Sequence, residues 1–600
     1  MHPCALVFTR LILISILFLF GSAVEADAQA ARLWTPDPML KITEEAVPGN
    51  PPGEVEPIEL VAPRNGVASG AVVVVAGDRL ERVQAAASPL RHEEGGATIP
   101  PQHIQVRYAT RYRNIGRNEQ PEGDPGDAFN HLLDRHVPDS RIQPVWVTIN
   151  VPANTAPGTY RGTMRVQPVG SVPIRLTVAG WESPDPSDFT PHVGLLHSPD
   201  TIARHYDVAK WSRQHFELVT PSLRLLGHVG NNVLYLPMIN QTHLGNNETI
   251  VRWIPDGDGH RPDFTALEHY LRLYDRYVGE PDVFCLYMWE NAWRDDRAPD
   301  TLKVTSLNPR TGEADTVEVP YYGESGSEAY WKPLIDGMKQ RIEAIGWNTD
   351  VMMIGVVGDG MPNEQTRDFF DNIAPDVKWA SFTHARGHRT PGDGVAEREG
   401  LIFGYRVLPY APRMDRPRDG RYLANWRRDF LQATSMRSFN SNEPVRFRYL
   451  PYGSIAGDTR GHDYRGFDRI GMDFWPVDGG AIIGQYHRWH NLYRGNHRAF
   501  TAPGPRGAMG SILIEMLREG LQETQAQIAI ERVMLDDDTR GQLDEALRGR
   551  IESLLEAHKE LVNRGWDNPG RIADGTWREH SLKLFELADE VEDAIGSSGR

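Results

Sequence analysis

Apolar and polar positions along the chain fall into three successive textures. Between residues 58 and 178 the apolar residues come in short runs rich in Val, Ile and Thr: AVVVVAG (71–77), HIQVRYATRY (103–112), VWVTINV (145–151), GTYRGTMRVQP (158–168) and VPIRLTV (172–178). Several alternate polar and apolar side chains with period two, the pattern of half-buried strands. The Pro- and Gly-bearing stretch PANTAPG (152–158) separates two of them. No helical pattern intervenes, so residues 58–180 are expected to form an antiparallel β-sandwich. The Pro-rich WESPDPSDFT (181–190) reads as a linker.

After Pro191 short apolar runs alternate with helical stretches, the signature of parallel β/α units. Candidate strands are 193–196, 233–239, 283–289, 351–357, 377–382, 401–408, one between 431 and 450, and 471–477. A helix is expected to start at Asp263, a good N-cap, and to continue through FTALEHYLRLYDRYV. Eight strands over 191–509 match a (β/α)8 TIM-type barrel. The other reading is an open doubly wound sheet, but no glycine-rich phosphate loop supports it. From residue 510 the chain is helical: SILIEMLREGLQETQAQIAIERVML, LDEALRGRIESLLEAHKELV and a last helix near 581–595 have amphipathic spacing. The helices of 510–600 are expected to complete the barrel and pack beside it. The fold class is thus multidomain, β followed by α/β.

The N-terminus changes the picture of where the protein works. MHPCALVFTR ends in a positive charge, LILISILFLF follows, and Ala28-Gln29-Ala30 offers an A-x-A cleavage site. This order predicts a signal peptide over 1–30 and a secreted or periplasmic protein. The apolar run is shorter than the ~20 residues of a membrane span, so no stable membrane insertion is expected after cleavage; an uncleaved anchor is the alternative. Residues 31–57, rich in Pro, Gly and charge, read as a loosely ordered lead-in. Cleavage would leave Cys285 as the only cysteine, and its apolar run VFCLYMW predicts a buried, inert thiol. The formal charge of −17 argues against a nucleic-acid partner. Oligomeric state is not legible.

In a barrel, chemistry collects where strands end, on the C-terminal face. The polar residues just after the candidate strands are His197, Asn240, Glu290, Asp359, His384, Tyr410, Asp473 and Asp478, with Trp289, Trp293, Trp379 and Trp475 beside several of them. Carboxylates among aromatics suit a carbohydrate: one carboxyl group protonates the leaving oxygen, another stabilises charge at the anomeric carbon, and flat rings pack on sugar faces. The catalytic candidates are Asp359 and Glu290; Trp289, His384, Trp475 and Asp473 are candidates for substrate binding. Each has a second reading. Gly358-Asp359-Gly360 also looks like a tight turn, Glu290 could pair with an Arg, and His384 could be a core histidine. Asp473 lies in the strand-like run GMDFWPV, where a buried carboxylate needs a partner whatever its role. Asp256-Gly257-Asp258-Gly259 lacks the glutamate of a calcium loop and reads as a turn. No zinc-ligand spacing and no Gly-x-Ser-x-Gly is present, so the reading calls for no metal and no cofactor.

Several blocks resemble one family. VWVTINVPANTAPGTYRGTMRV resembles the end of the N-terminal β-sandwich of proteins related to glycoside hydrolase family 123, and PDFTALEHYLRLYDRYVGEPDVFCLYMWE a helix and strand of their barrel. APDVKWASFTHARG, FRYLPYGSIAGDTRG with GFDRIGMDFWPV, and MLREGLQETQA are similar as well, in order from about residue 140 to 527. The resemblance implies a sandwich followed by a catalytic barrel, and a glycan substrate. Family members of known activity release N-acetylgalactosamine, using the substrate's acetamido group as nucleophile. An adjacent Asp-Glu pair then orients that group and supplies the acid. Asp359 matches the Asp, but the next residue here is Gly360, which cannot transfer a proton. Either another carboxyl group such as Glu290 is the acid, or the scaffold binds glycans without cleaving them.

Overall fold

The computed structural model describes residues 31–49, 54–111, 128–242, 246–257, 259–290, 302–359, 364–383, 399–405, 425–427, 431–435, 443–456, 465–473, 500–567, 570, 572 and 574–598. The N-terminal region holds two sheets. One has the order Arg32–Trp34, Val67–Val75, Ile142–Asn150, Ile104–Thr110, His131–Leu133. The other runs Ile58–Arg64, Gly170–Glu182, Gly158–Gln167, Leu90–His92, Thr98–Ile99, with Gln84–Ala87 also on Gly158–Gln167. All pairings are antiparallel except that of Ile58–Arg64 with Gly170–Glu182. Val72, Val74, Val145 and Val147 pack with Tyr160, Met164 and Leu176 in the core between the sheets. Val73, Val75 and Trp146 face the other way and join the core of the next region. Burial on both faces explains why AVVVV is a continuous apolar run and not an alternating one.

The lead-in departs from the expected loose segment. Arg32–Trp34 pairs antiparallel with Val73–Val75, and Met39, Ile42 and Val47 are buried in the larger core. A three-residue strand is too short to show a period, and the surrounding Pro and charge mask it.

Eight parallel strands follow: β1 (His192–Leu196), β2 (Val233–Pro237), β3 (Val283–Glu290), β4 (Met352–Asp359), β5 (Lys378–Thr383), β6 (Glu399–Tyr405), β7 (Leu431–Ser435) and β8 (Gly466–Gly471). Their order is β1-β8-β7-β6-β5-β4-β3-β2, the cyclic order of chain neighbours. The ladder does not continue between β1 and β2. What crosses that seam is one backbone bond, from Asn232 N to Val193 O (3.1 Å), and two asparagine side chains. Asn232 Oδ1 accepts from Val193 N (2.9 Å) and Asn231 Oδ1 from Leu195 N (2.7 Å). The eighth strand lies five residues before its expected start, so Asp473 falls beyond a strand end and not inside a strand.

Helices α1 (Pro199–Tyr206), α2 (Arg213–His228), α3 (Thr265–Tyr277), α4 (Ser327–Ala344), α5 (Glu364–Ile373) and α6 (Pro444–Ala456) lie between these strands. α3 starts at Thr265, with the Asp263 carboxylate accepting from Thr265 N and Oγ1 (3.3 and 2.6 Å). Two hairpins missed in the sequence, Arg252–Asp256 with Gly259–Asp263 and Leu302–Leu307 with Ala314–Val319, form a four-stranded sheet in the connections after β2 and β3. The Asp256–Gly259 stretch is the turn of the first, with Gly257 at φ +58°.

Cys285, in β3, is 1 % exposed among Leu196, Tyr235, Tyr287 and Met353. A Cβ on Gly355 of β4 would lie 1.9 Å from its Sγ, so thiol and glycine fill one space between them. A thiol reagent is therefore expected to label native Cys285 far more slowly than the denatured chain. Equal rates would contradict this burial.

The chain ends in α7 (Ile512–Leu535), α8 (Asp537–Gln542), α9 (Glu545–Asp567) and α10 (Thr576–Ser598). α7 is buried on nearly every side, its acids and amides included. It runs between the sandwich, α6 and α10. Gly520 is required where α7 crosses α6: a Cβ there would lie 1.8 Å from Arg448 O.

Candidate functional site

The parallel strands end side by side, and register sets which residues stand together. Glu290 at the end of β3 pairs with Val357, two residues before the end of β4 at Asp359, and Asp359 pairs with Phe382, one residue before the end of β5. Neighbouring strands are ~4.8 Å apart and advance ~3.3 Å per residue, which sets the Cα atoms of Glu290 and Asp359 about 8 Å apart at one edge of the sheet. Trp289 precedes Glu290 on β3. His384, Trp475, Tyr410, Asp478 and Trp293 lie outside the described residues.

The end of β3 is held by residues the sequence reading missed. Met238 N donates to Tyr287 O (3.0 Å), and the buried Tyr322 hydroxyl donates to Met288 O. Tyr322 sits in an aromatic cluster with Trp331, Phe369 and Phe370. Burial raises its phenol well above the ordinary value, so it stays a donor. Its one visible signal was Tyr321-Tyr322 just before a helix, which does not separate an anchor from ordinary core.

At the ends of β1 and β8 the structure assembles a buried Asp–His pair. His197 Nδ1 meets Asp473 Oδ1 at 3.0 Å, and Ser198 N donates to Asp473 Oδ2 at 2.5 Å. The side chains are 4 % and 2 % exposed. Thr501 Oγ1 donates to Met472 O (3.1 Å), fixing the residue before Asp473. Nδ1 therefore carries a proton toward the carboxylate. His197 Nε2 is buried with no hydrogen-bond partner among the described residues. Asp473 is thus spent on His197 and the β1 terminus, which restricts it to acting through that histidine.

Asn240, after β2, is also spent: it accepts from Thr305 Oγ1 (3.0 Å) and donates to Thr316 Oγ1 (3.3 Å), tying β2 to the inserted sheet. Trp379 is not a site aromatic. It is the second residue of β5, at the opposite end of the strand, and packs edge-on against Phe370. The expected strand, 377–382, already put Trp379 near its start, so the error lay in grouping it with the strand-end residues and not in the strand's place.

His215, at the start of α2, braces the same rim. Its Nε2 lies 2.9 Å from Pro199 O and its Nδ1 accepts from Trp211 N (3.0 Å), contacts that only the neutral ring makes together. Burial pushes it down to about 4, with the charges of Lys210 and His197 adding to the shift. Its folded value is below the ordinary 6.5, so its contribution is present above pH 6.5 and is lost as pH falls through about 4. The span corresponds to at most ~3 kcal/mol. Stability measured from pH 7 to 4 is expected to fall, and His215→Gln to reduce the slope by up to ~1.4 kcal/mol per pH unit. An unchanged slope in that variant would place the titration elsewhere.

Among the described residues no group of three or more His, Cys, Asp or Glu could hold a metal ion. Among them, no helix is long and apolar enough to cross a membrane.

N-terminal antiparallel sheets followed by eight parallel strands with intervening helices define a protein of the β plus α/β class. The model for "Glycoside hydrolase 123, catalytic domain" matches residues 197–529, more than half of the chain, and that for "Glycoside hydrolase 123 N-terminal domain" matches residues 45–168. The chain belongs to the glycoside hydrolase 123 family. Among solved structures it is similar to a family 123 glycoside hydrolase from Clostridium perfringens studied for glycolipid glycan hydrolysis. The likeness covers 92 % of this chain and 100 % of that one, with 14 % identity and a TM-score of 0.65, and it bears on the fold. A GH5 xyloglucanase from Bacteroides ovatus matches over 60 % of this chain and 72 % of its own, at 9 % identity and a TM-score of 0.17, too low to carry an argument. No curated protein matches the chain significantly.

Proposed function

We propose that this chain is an exported glycoside hydrolase acting on a glycan, with Asp359 and Glu290 as its catalytic carboxylates at the C-terminal ends of a closed (β/α)8 barrel. The observation that carries the reading is the register of β3 and β4, in which Glu290 stands opposite Val357 and Asp359 lies two residues further along the neighbouring strand, at the same edge of the sheet. A hydrolase needs two carboxyl groups flanking the scissile bond, ~5–9.5 Å apart depending on mechanism. Asp359 takes the part of the family's orienting Asp. Gly360 leaves the acid to be supplied from elsewhere, and Glu290 supplies it. Trp289, His384 and Trp475 are the candidates for sugar binding, the last two outside the described residues, and Asp473 acts through His197. The similar Clostridium perfringens enzyme makes glycolipid glycans the first substrates to try.

Gly360 favours a second reading, a glycan-binding protein on the same scaffold. A glycan panel scored for both binding and sugar release separates the two. Release of a monosaccharide supports the hydrolase, and saturable binding without release supports the second reading. Neither would remove carbohydrate from the account of this chain.

A further inference from the structure

A cavity of about 300 Å3 opens between the sandwich, the linker and helices α2 and α7. His228 ends α2, which runs back from the end of β1 toward the start of β2, and Phe189 precedes β1. The cavity therefore lies at the N-terminal ends of the parallel strands, opposite Glu290 and Asp359.

Its polar lining is Arg518, His103, His228, Asn65, Asn150, Gln522 and Ser183, with no Asp or Glu among the lining residues; Asp185 accepts from the Asn65 amide at 2.9 Å behind them. That is a local reversal in a chain with 81 acidic and 64 basic residues. Arg518 donates to Glu515 Oε2 (3.0 Å) and to Asn150 Oδ1 (2.8 Å). A guanidinium has five donors, so three remain. Glu515 does not neutralise it alone, because Arg107 also binds that carboxylate at 2.7 Å. Burial would raise Glu515, but the two guanidiniums outweigh it and hold the carboxyl at about 2. Two cations against one anion leave a positive charge beside the cavity. Desolvation against the cavity wall, reinforced by Arg518, lowers His228 from its ordinary value although part of the residue stays exposed, so at neutral pH it offers one donor and one acceptor and no charge.

The remaining wall is apolar, with Phe189, Pro152 and Pro186. A small-molecule site has a volume of ~300–1,000 Å3, lined by apolar surface with a few placed polar groups. This cavity is at the lower end of that range and well above the ~30 Å3 that one water takes.

We infer that this cavity is a second binding site, for a carboxylate-bearing sugar unit, with Arg518 on the carboxylate and hydroxyl groups on the Asn65 amide oxygen and the Asn150 amide nitrogen, the other amide atom of each being already bonded within the protein. It stands apart from the catalytic reading and would anchor an acidic glycan whether or not the strand ends cleave one.

The test is titration of the full purified chain with glucuronic acid, glucose and inorganic sulfate, followed by calorimetry and saturation-transfer NMR. Glucuronate is expected to bind saturably and at least about tenfold more tightly than glucose, and Arg518→Gln to weaken it about tenfold or more. His228→Phe, which removes a hydrogen-bonding group from the wall and leaves the Glu515 pair alone, is expected to weaken binding about fivefold or more. It also decides the matter if Arg518→Gln fails to fold. No saturable glucuronate binding, or wild-type binding in the folded variants, overturns the proposal. So does sulfate binding as tightly as glucuronate, which would make this a simple anion site.

Discussion

Replacing Arg448 with Met is expected to lower the thermal midpoint by roughly 2–4 °C, the consequence of about 3–5 kcal/mol for a buried charge network that loses its cation. Arg448 is 1 % exposed and binds two glutamates of α7, Glu519 and Glu523, themselves 2 % and 3 % exposed. Ser69 Oγ of the sandwich donates to Glu519 (2.5 Å) and Ser581 Oγ of α10 donates to Glu523. The guanidinium also lies over the Trp577 ring, 4.1 Å from its centroid. One side chain of α6 thus joins sandwich, α/β region and C-terminal helices. Burial alone would lower Arg448, and the two carboxylates outweigh it. Burial raises Glu519, against Arg448. Removing the guanidinium leaves two acids in a dry interior with only hydroxyl donors. The same Met substitution combined with Glu519→Gln and Glu523→Gln is expected to recover most of the loss, since no charge is then stranded. A shift under about 1 °C in the single variant would mean the network adds little, as some buried ion pairs do.

This network also shows why parts of the chain were legible and others not. Strand texture follows from one residue's neighbours in sequence, so six of the eight parallel strands fell within a few residues of their places, and the seventh, Leu431–Ser435, lay inside the 431–450 interval expected to hold it. Burial on both faces made β3 and β4 plain apolar runs. The eighth was displaced because GMDFWPV has strand composition, while the strand itself, Gly466–Gly471, carries Asp468 and Arg469. α7 was read as amphipathic, because its glutamates look like a solvated face. They are buried because Arg448, Arg107 and Ser69 meet them from three other elements, and such partners are 71 to 450 residues away. The same holds at the candidate site. A strand-end position is a local property, so Glu290 and Asp359 could be picked out. The anchoring by Tyr322 and the pairing of His197 with Asp473 depend on long-range contact, and only the second had a partial signal, the need of a buried Asp for a partner.

Asp359→Asn and Glu290→Gln are each expected to reduce turnover about 10²–10⁴-fold while leaving the melting profile unchanged. The two losses should differ in kind. An acid is needed in proportion to how poor the leaving group is, since protonation of the glycosidic oxygen matters little for an aryl group that leaves as a stable anion. If Glu290 is the acid, Glu290→Gln should lose most on a natural glycan and much less on an activated aryl glycoside. In the role proposed for it, Asp359 would act on the charge forming at the anomeric centre, or on the group that attacks it, whatever leaves. Asp359→Asn should therefore lose similar factors on both substrates. A proton donor must also stay protonated near neutral pH, which an apolar neighbour favours by disfavouring the charged form. The Tyr322 hydroxyl fixes the backbone one residue before Trp289, so Tyr322→Phe should weaken turnover without touching either carboxyl group. Near-normal turnover in both carboxyl variants would sink the assignment. Equal losses on both substrates in Glu290→Gln would leave Glu290 in the site but move the acid to another residue.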